Sequence, residues 1–175
     1  DFYQLLLKQE EKDVRLNPNT VILGVSGITN ENVNELSSVL RSSGVDATLF
    51  LQGKMLSGGI DQKQLMTLIA NGHDLQTAGH TGDDLRSLTN AQVELELSQS
   101  KQLLEQITKK KVISVAYPLG GVNDRIARKA GEVGYLLGLS LAPDTRFERT
   151  QLLRMPSFVI KASTSSDDLL SLVSQ

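Results

Sequence analysis

The residues whose types could do chemistry are few. His80 stands in the loop Ala78-Gly79-His80-Thr81-Gly82-Asp83-Asp84, flanked by glycines and followed by two carboxylates. An imidazole can ligate a metal or act as a general base near neutral pH, and Asp83 or Asp84 could complete either arrangement. The plainer reading is an exposed loop histidine followed by an Asx turn or helix-initiating aspartate. Ser26 ends a strand-like run and is a candidate nucleophile, but serine needs a partner to activate it and no histidine lies near it in sequence. His73, in Gly72-His73-Asp74-Leu75, reads as structural. The chain has only these two histidines, seven positions apart, so no H-x-x-x-H pair exists.

These residues need elements to carry them. Val112–Ala116 is apolar or small and rich in β-branched types, which predicts a buried strand. Tyr117-Pro118-Leu119-Gly120-Gly121 then breaks the period and forms a loop able to hold a site. Asn123 or Asp124 can cap the next helix, whose apolar face is Ile126, Ala127, Ala130 and Val133, and Gly131 and Gly134 end it before a strand over Tyr135–Leu139. That is one βαβ unit, and the chain repeats the plan. Strands are predicted at Thr20–Val25, Ala47–Leu51, His73–Thr77 and Ser157–Ile160. Helices are predicted from Thr29 or Asn30 to Ser42 with Gly44 as the stop, from Asp61 to Gly72, over Asn90–Lys109 and over Asp167–Val173, while Gly53 and Gly58-Gly59 read as loop. Asp1–Leu16 reads as an amphipathic helix before an Asn17-Pro18-Asn19 turn. Such alternation favours a parallel sheet flanked by helices, open or closed into a barrel, with ligands at the carboxyl ends of the strands. There the loops Ser26–Asn30, Ala78–Asp84 and Tyr117–Gly121 converge.

Composition sets the outer bounds. At 175 residues, 39% hydrophobic and a net charge of −2, the chain is one domain with a proper core and no electrostatic pull toward nucleic acid or an anionic membrane. Cysteine is absent, which excludes disulfides and thiolate metal sites. No apolar run is long enough to span a membrane. The chain starts at Asp1 rather than Met, as expected of a mature or trimmed piece that could have lost a signal peptide or anchor. Residues 1–19 are expected to form a helix or linker, and residues 20–175 the domain.

Several fragments in order resemble one family. Gly44-Val45-Asp46-Ala47-Thr48-Leu49-Phe50-Leu51-Gln52-Gly53 is similar to "G-v-x-A-T-F-F-l-x-G", Gly72-His73-Asp74-Leu75 to "G-H-E-I", and Ala116-Tyr117-Pro118-Leu119-Gly120 with Asn123-Asp124 to "A-Y-P-Y-G-x-x-N-D". This is the pattern of the polysaccharide deacetylases, the NodB-like carbohydrate esterases, nearest the poly-N-acetylglucosamine deacetylase branch. The resemblance runs from about Thr20 to Ile160. It implies an incomplete or distorted (β/α) barrel and removal of acetyl groups from N-acetylated sugars by a divalent metal such as zinc.

The catalytic motifs depart from that pattern. The family's T-F-D-D-G carries the general base and a metal ligand; here the positions read Gly24-Val25-Ser26-Gly27-Ile28, with Ser26 for the base and Gly27 for the ligand. The two histidines of H-x-x-x-H fall on Ala78 and Gly82, and the C-terminal L-x-x-H motif is absent. The chemistry needs a metal to polarise the carbonyl and acidify its bound water, and a carboxylate to take the proton. Alanine and two glycines offer no side-chain donors, so no metal cofactor is expected. By resemblance, Tyr117, Pro118, Leu119 and Gly120 form the substrate-binding loop, with Tyr117 able to stack on a sugar ring or to pack as core. Aromatics are only 4% of the chain and tryptophan is absent, which argues against a high-affinity glycan platform. The expectation is a domain without metal or catalysis, retained at the cell surface, in the periplasm or outside the cell to bind an N-acetylated polysaccharide or an envelope protein. The alternatives are a hydrolase with a site relocated to His80, Asp83, Asp84 and Ser26, and a purely structural domain.

Overall fold

A computed structural model describes residues 24–44, 46–141 and 149–157. Its six described strands are β1 (Gly24–Val25), β2 (Thr48–Leu51), β3 (Asp74–Thr77), β4 (Ser114–Ala116), β5 (Leu137–Ser140) and β6 (Met155–Pro156). They pair in sequence order and every pairing is parallel. The helices are α1 (Val33–Ser43), α2 (Gly53–Gly58), α3 (Gln62–Ala70), α4 (Asn90–Thr108) and α5 (Asp124–Val133). A curled parallel sheet in sequential order, with helices in the crossovers, is an incomplete (β/α) barrel.

Local chemistry sets most boundaries. Asp61 and Gln64 form a capping box at the start of α3, and Thr89 and Gln92 form another at α4. Asn123 caps α5 by accepting from the Ile126 N–H at 3.1 Å. Gly44 ends α1 and Gly134 ends α5, both in the left-handed region that glycine enters without a Cβ penalty. The longest described helix, α4, buries Val93, Leu97, Ser100 and Leu104, a 3.6-residue stripe against the sheet.

Several boundaries differ from those predicted. Gly53–Gly58 is a helix rather than loop, because Met55 and Leu56 are drawn into the core. The first helix begins at Val33, since Thr29 and Asn32 exchange backbone-to-side-chain bonds of 2.7 and 3.3 Å that hold a turn before it. The strand after α5 starts at Leu137, because the Tyr135 N–H still closes onto Ala130 O at 3.0 Å. The last described strand is Met155–Pro156, paired through Leu139↔Met155, and Ser157 continues it through a 2.8 Å bond to Ser140 O. The predicted elements at Asp1–Leu16 and Asp167–Val173, and residues 158–160, lie outside the described residues.

The core gathers Leu49 and Leu51 from β2, Leu65 and Leu68 from α3, and Leu97 and Leu104 from α4, all essentially inaccessible. Tyr135 is sealed beneath the sheet: its hydroxyl donates to Leu97 O at 2.9 Å and shares a 2.8 Å bond with Thr77 Oγ1. Burial pushes that hydroxyl's pKa up to about 12.

Candidate functional site

The site lies where the chain leaves the carboxyl ends of β1 to β4. After β3 the loop keeps following β2. The Ala78 N–H donates to Leu51 O at 2.8 Å, Gly53 N–H to Gly79 O at 2.9 Å and Lys54 N–H to His80 O at 2.9 Å. This ladder extension presses the His80 ring onto Gly53, where an added Cβ would stand 2.3 Å from Nδ1. His80 Nδ1 is buried without a hydrogen-bond partner.

From below, a residue that sequence reasoning passed over holds the loop. Glu96 on α4 is 9% exposed and its Oε2 accepts from the His80 N–H at 3.0 Å and the Thr81 N–H at 2.9 Å. A carboxylate on the apolar stripe of an amphipathic helix was the available signal, since a buried charge requires partners.

The structure separates the two aspartates from a shared base role. Asp83 is exposed, and its own N–H is turned back onto Thr81 Oγ1 at 3.2 Å. Asp84 caps the short 3-10 helix Leu85–Ser87, accepting from the Arg86 N–H at 3.0 Å, and its carboxylate meets the Arg86 guanidinium at 2.7 to 3.1 Å. Those Arg86 hydrogen bonds hold its carboxyl at about 2, below the usual carboxylate range. A group so committed is a poor proton acceptor near neutral pH. Because the folded pKa is depressed, its stabilising contribution is complete above about pH 4 and is lost as pH falls through 2. Asp84→Asn should flatten the fall in Tm between about pH 4 and 2, read by scanning Tm against pH, and high salt should shrink the difference.

Ser26 is exposed at the end of β1. Next to it, Gly27 has φ +74° and its carbonyl accepts from Asn32 Nδ2 at 3.1 Å. Ala78 is buried at the end of β3. Gly82 has φ +93°, and the Gln52 amide lies over it, 2.4 Å from where a Cβ would stand. Gly27, Ala78 and Gly82 carry no side-chain donor for a divalent ion. Among the described residues no group of three or more His, Asp or Glu is placed to hold a metal.

The loop after β4 is where the resemblance implies a substrate-binding surface. Tyr117 does not stack on a sugar there: it is 4% exposed, and its hydroxyl donates to Leu153 O at 2.9 Å across the space that Gly138 leaves open. Burial raises its pKa. Pro118 is buried too, whereas Leu119 is 72% exposed with φ +53°, and Gly120 at φ +68° passes directly against Leu141. The loop therefore offers an exposed leucine and backbone groups, without an aromatic face.

A half-closed parallel (β/α) barrel with its loops gathered at the carboxyl ends of the strands defines the class, and sequence comparison supplies the family. The polysaccharide deacetylase family model matches residues 13–138, and the chain belongs to that family. It is 25% identical to YxkH of Bacillus subtilis, which bears the name "Putative polysaccharide deacetylase", over 79% of its own length, and it spans about half (50%) of that relative. Among solved structures, the acetate-bound deacetylase PplD of Streptococcus pyogenes superposes with a TM-score of 0.80 at 20% identity, covering 97% of this chain and 77% of that one. BA3943 of Bacillus anthracis, described as a CE4 family pseudoenzyme, superposes with a TM-score of 0.61 at 20% identity over 69% of this chain and 43% of its own. A mutant of BA3943 is described as having restored enzymatic activity.

Proposed function

We propose that this domain is a deacetylase-fold protein without metal or deacetylase activity, kept outside the cytoplasm to bind an N-acetylated polysaccharide or an envelope protein. One observation carries the reading: the positions that the resemblance assigns to the family's base and ligands hold Ser26, Gly27, Ala78 and Gly82, and none supplies an imidazole or a carboxylate. The glycan follows from the family and from the name of its Bacillus subtilis relative, and the location from the family alone. The pseudoenzyme BA3943 shows that the same fold occurs without activity in a protein of this kind.

The rival reading, a hydrolase relocated to His80, Asp83, Asp84 and Ser26, is weakened by the commitment of Asp84 to Arg86 and by the burial of the His80 Nδ1 edge against Gly53, with no carboxylate bonded to it. The test is hydrolysis of N-acetylglucosamine oligomers and acetyl esters with zinc, cobalt or nickel added, beside a pull-down on N-acetylated glycan. The expected result is no turnover with retention on the glycan or capture of an envelope protein. Turnover that His80→Ala abolishes while Tm stays put would replace this reading with the relocated hydrolase.

A further inference from the structure

We infer that the metal cradle has been lost in the backbone of the site loops as well as in their side chains, so restoring the donors does not restore the metal. The inference rests on the reading above, in which positions 27, 78 and 82 stand for the family's ligands. The divalent metal does not fit the residues present, and the misfit goes deeper than missing imidazoles. Ala78 is an ordinary position, on the extended ladder with its N–H on Leu51 O. The other two are not. Gly27 at φ +74° and Gly82 at φ +93° occupy the left-handed region, which side-chain-bearing residues adopt only under strain. Aspartate and histidine enter that region more often than most residues, but its well lies near φ +50 to +70°; Gly27 sits at its edge, whereas Gly82 at φ +93° lies well outside it, so the greater obstacle is the histidine at position 82.

The neighbours of Gly82 leave its backbone little slack. On one side Glu96 fixes the His80 and Thr81 amides; on the other Asp84 is tied down as the cap of the 3-10 helix. The Gln52 amide also crowds the position, yet it is the free end of a flexible side chain and can swing away. The clamped φ cannot. Gly27 is held in the same manner by Asn32, which donates to its carbonyl and exchanges bonds with Thr29.

The direct test is the variant Ser26→Asp, Gly27→Asp, Ala78→His, Gly82→His, with and without Gln52→Ala, loaded with zinc, desalted and assayed for zinc per chain. Both should keep less than about a tenth of an equivalent, and about one equivalent in either overturns the inference. A double-mutant cycle decides the matter even if these variants fold poorly. Gly82→Ala should lower Tm by about 2–4 °C, and by the same amount in a Gln52→Ala background, because the strain is in the backbone. A drop that vanishes once Gln52 is truncated places the obstacle in a side chain and overturns it too. The unaltered chain is assayed in parallel: zinc binding and turnover there would refute the proposed function by itself, while the cycle still reports on the backbone.

Discussion

Glu96→Ala is expected to destabilise the domain by about 3 kcal/mol and to release the loop after β3. The carboxylate is buried on α4 and its Oε2 takes two backbone N–H groups, those of His80 and Thr81, at 3.0 and 2.9 Å. Each hydrogen bond to a charged group contributes about 1.5–3 kcal/mol, and truncation strands two amides beneath a loop with no replacement acceptor. Urea denaturation gives the global figure. Amide exchange at His80 and Thr81 gives the local one, since both N–H groups should exchange far faster in the variant. Glu96→Gln keeps an acceptor oxygen in the same place and should cost roughly half as much. A change below about 0.5 kcal/mol in Glu96→Ala, with both amides still protected, would mean that the β2 ladder alone holds the loop.

Gln76→Ala should cost about 2–4 kcal/mol, for a different reason. Between β3 and β4 the described backbone pairing is the single register Thr77↔Val115. Gln76, 1% exposed, completes the seam: its Oε1 accepts from the Ile113 N–H at 2.9 Å and the Ser114 N–H at 2.8 Å, and its Nε2 donates to Asp74 Oδ2 at 3.0 Å. A side-chain amide here stands in for a stretch of neighbouring strand. Without it two donors at the sheet's centre lose their acceptor, and the strands carrying the site loops Ala78–Asp84 and Tyr117–Gly121 can part. Gln76→Met preserves the volume and removes the acceptor. If hydrogen bonding is the cause, Met and Ala cost about the same in urea denaturation; a methionine variant near wild-type stability would assign the effect to packing instead.

How the chain divides into elements could be read from its letters, because caps, turns and apolar periods act over a few residues. Asp61, Thr89 and Asn123 start helices through their own oxygens, and Gly44 and Gly134 stop them through their own φ, so each of these ends is decided locally. The alternation of strands and helices then leaves few ways to fold, and the parallel barrel order follows. The residues that the resemblance sets at the family's catalytic positions, Ser26, Gly27, Ala78 and Gly82, could likewise be read in the sequence.

What distance in sequence hides, only the tertiary structure decided. Gly53–Gly58 became a helix because Met55 and Leu56 found a core to enter, an outcome that its glycines alone oppose. Tyr117 went inward because Gly138, far along the chain, leaves room for its ring and Leu153 supplies a carbonyl. Asp84 was taken by Arg86, while Glu96 and Gln76 turned polar groups into clamps for loops and strands contributed by other segments. A side chain's partner depends on which surfaces the fold brings within about 3 Å, and a one-dimensional pattern carries no such distances. The residue types at the site were therefore legible from the start, but the left-handed backbone that holds Gly27 and Gly82 in place was not.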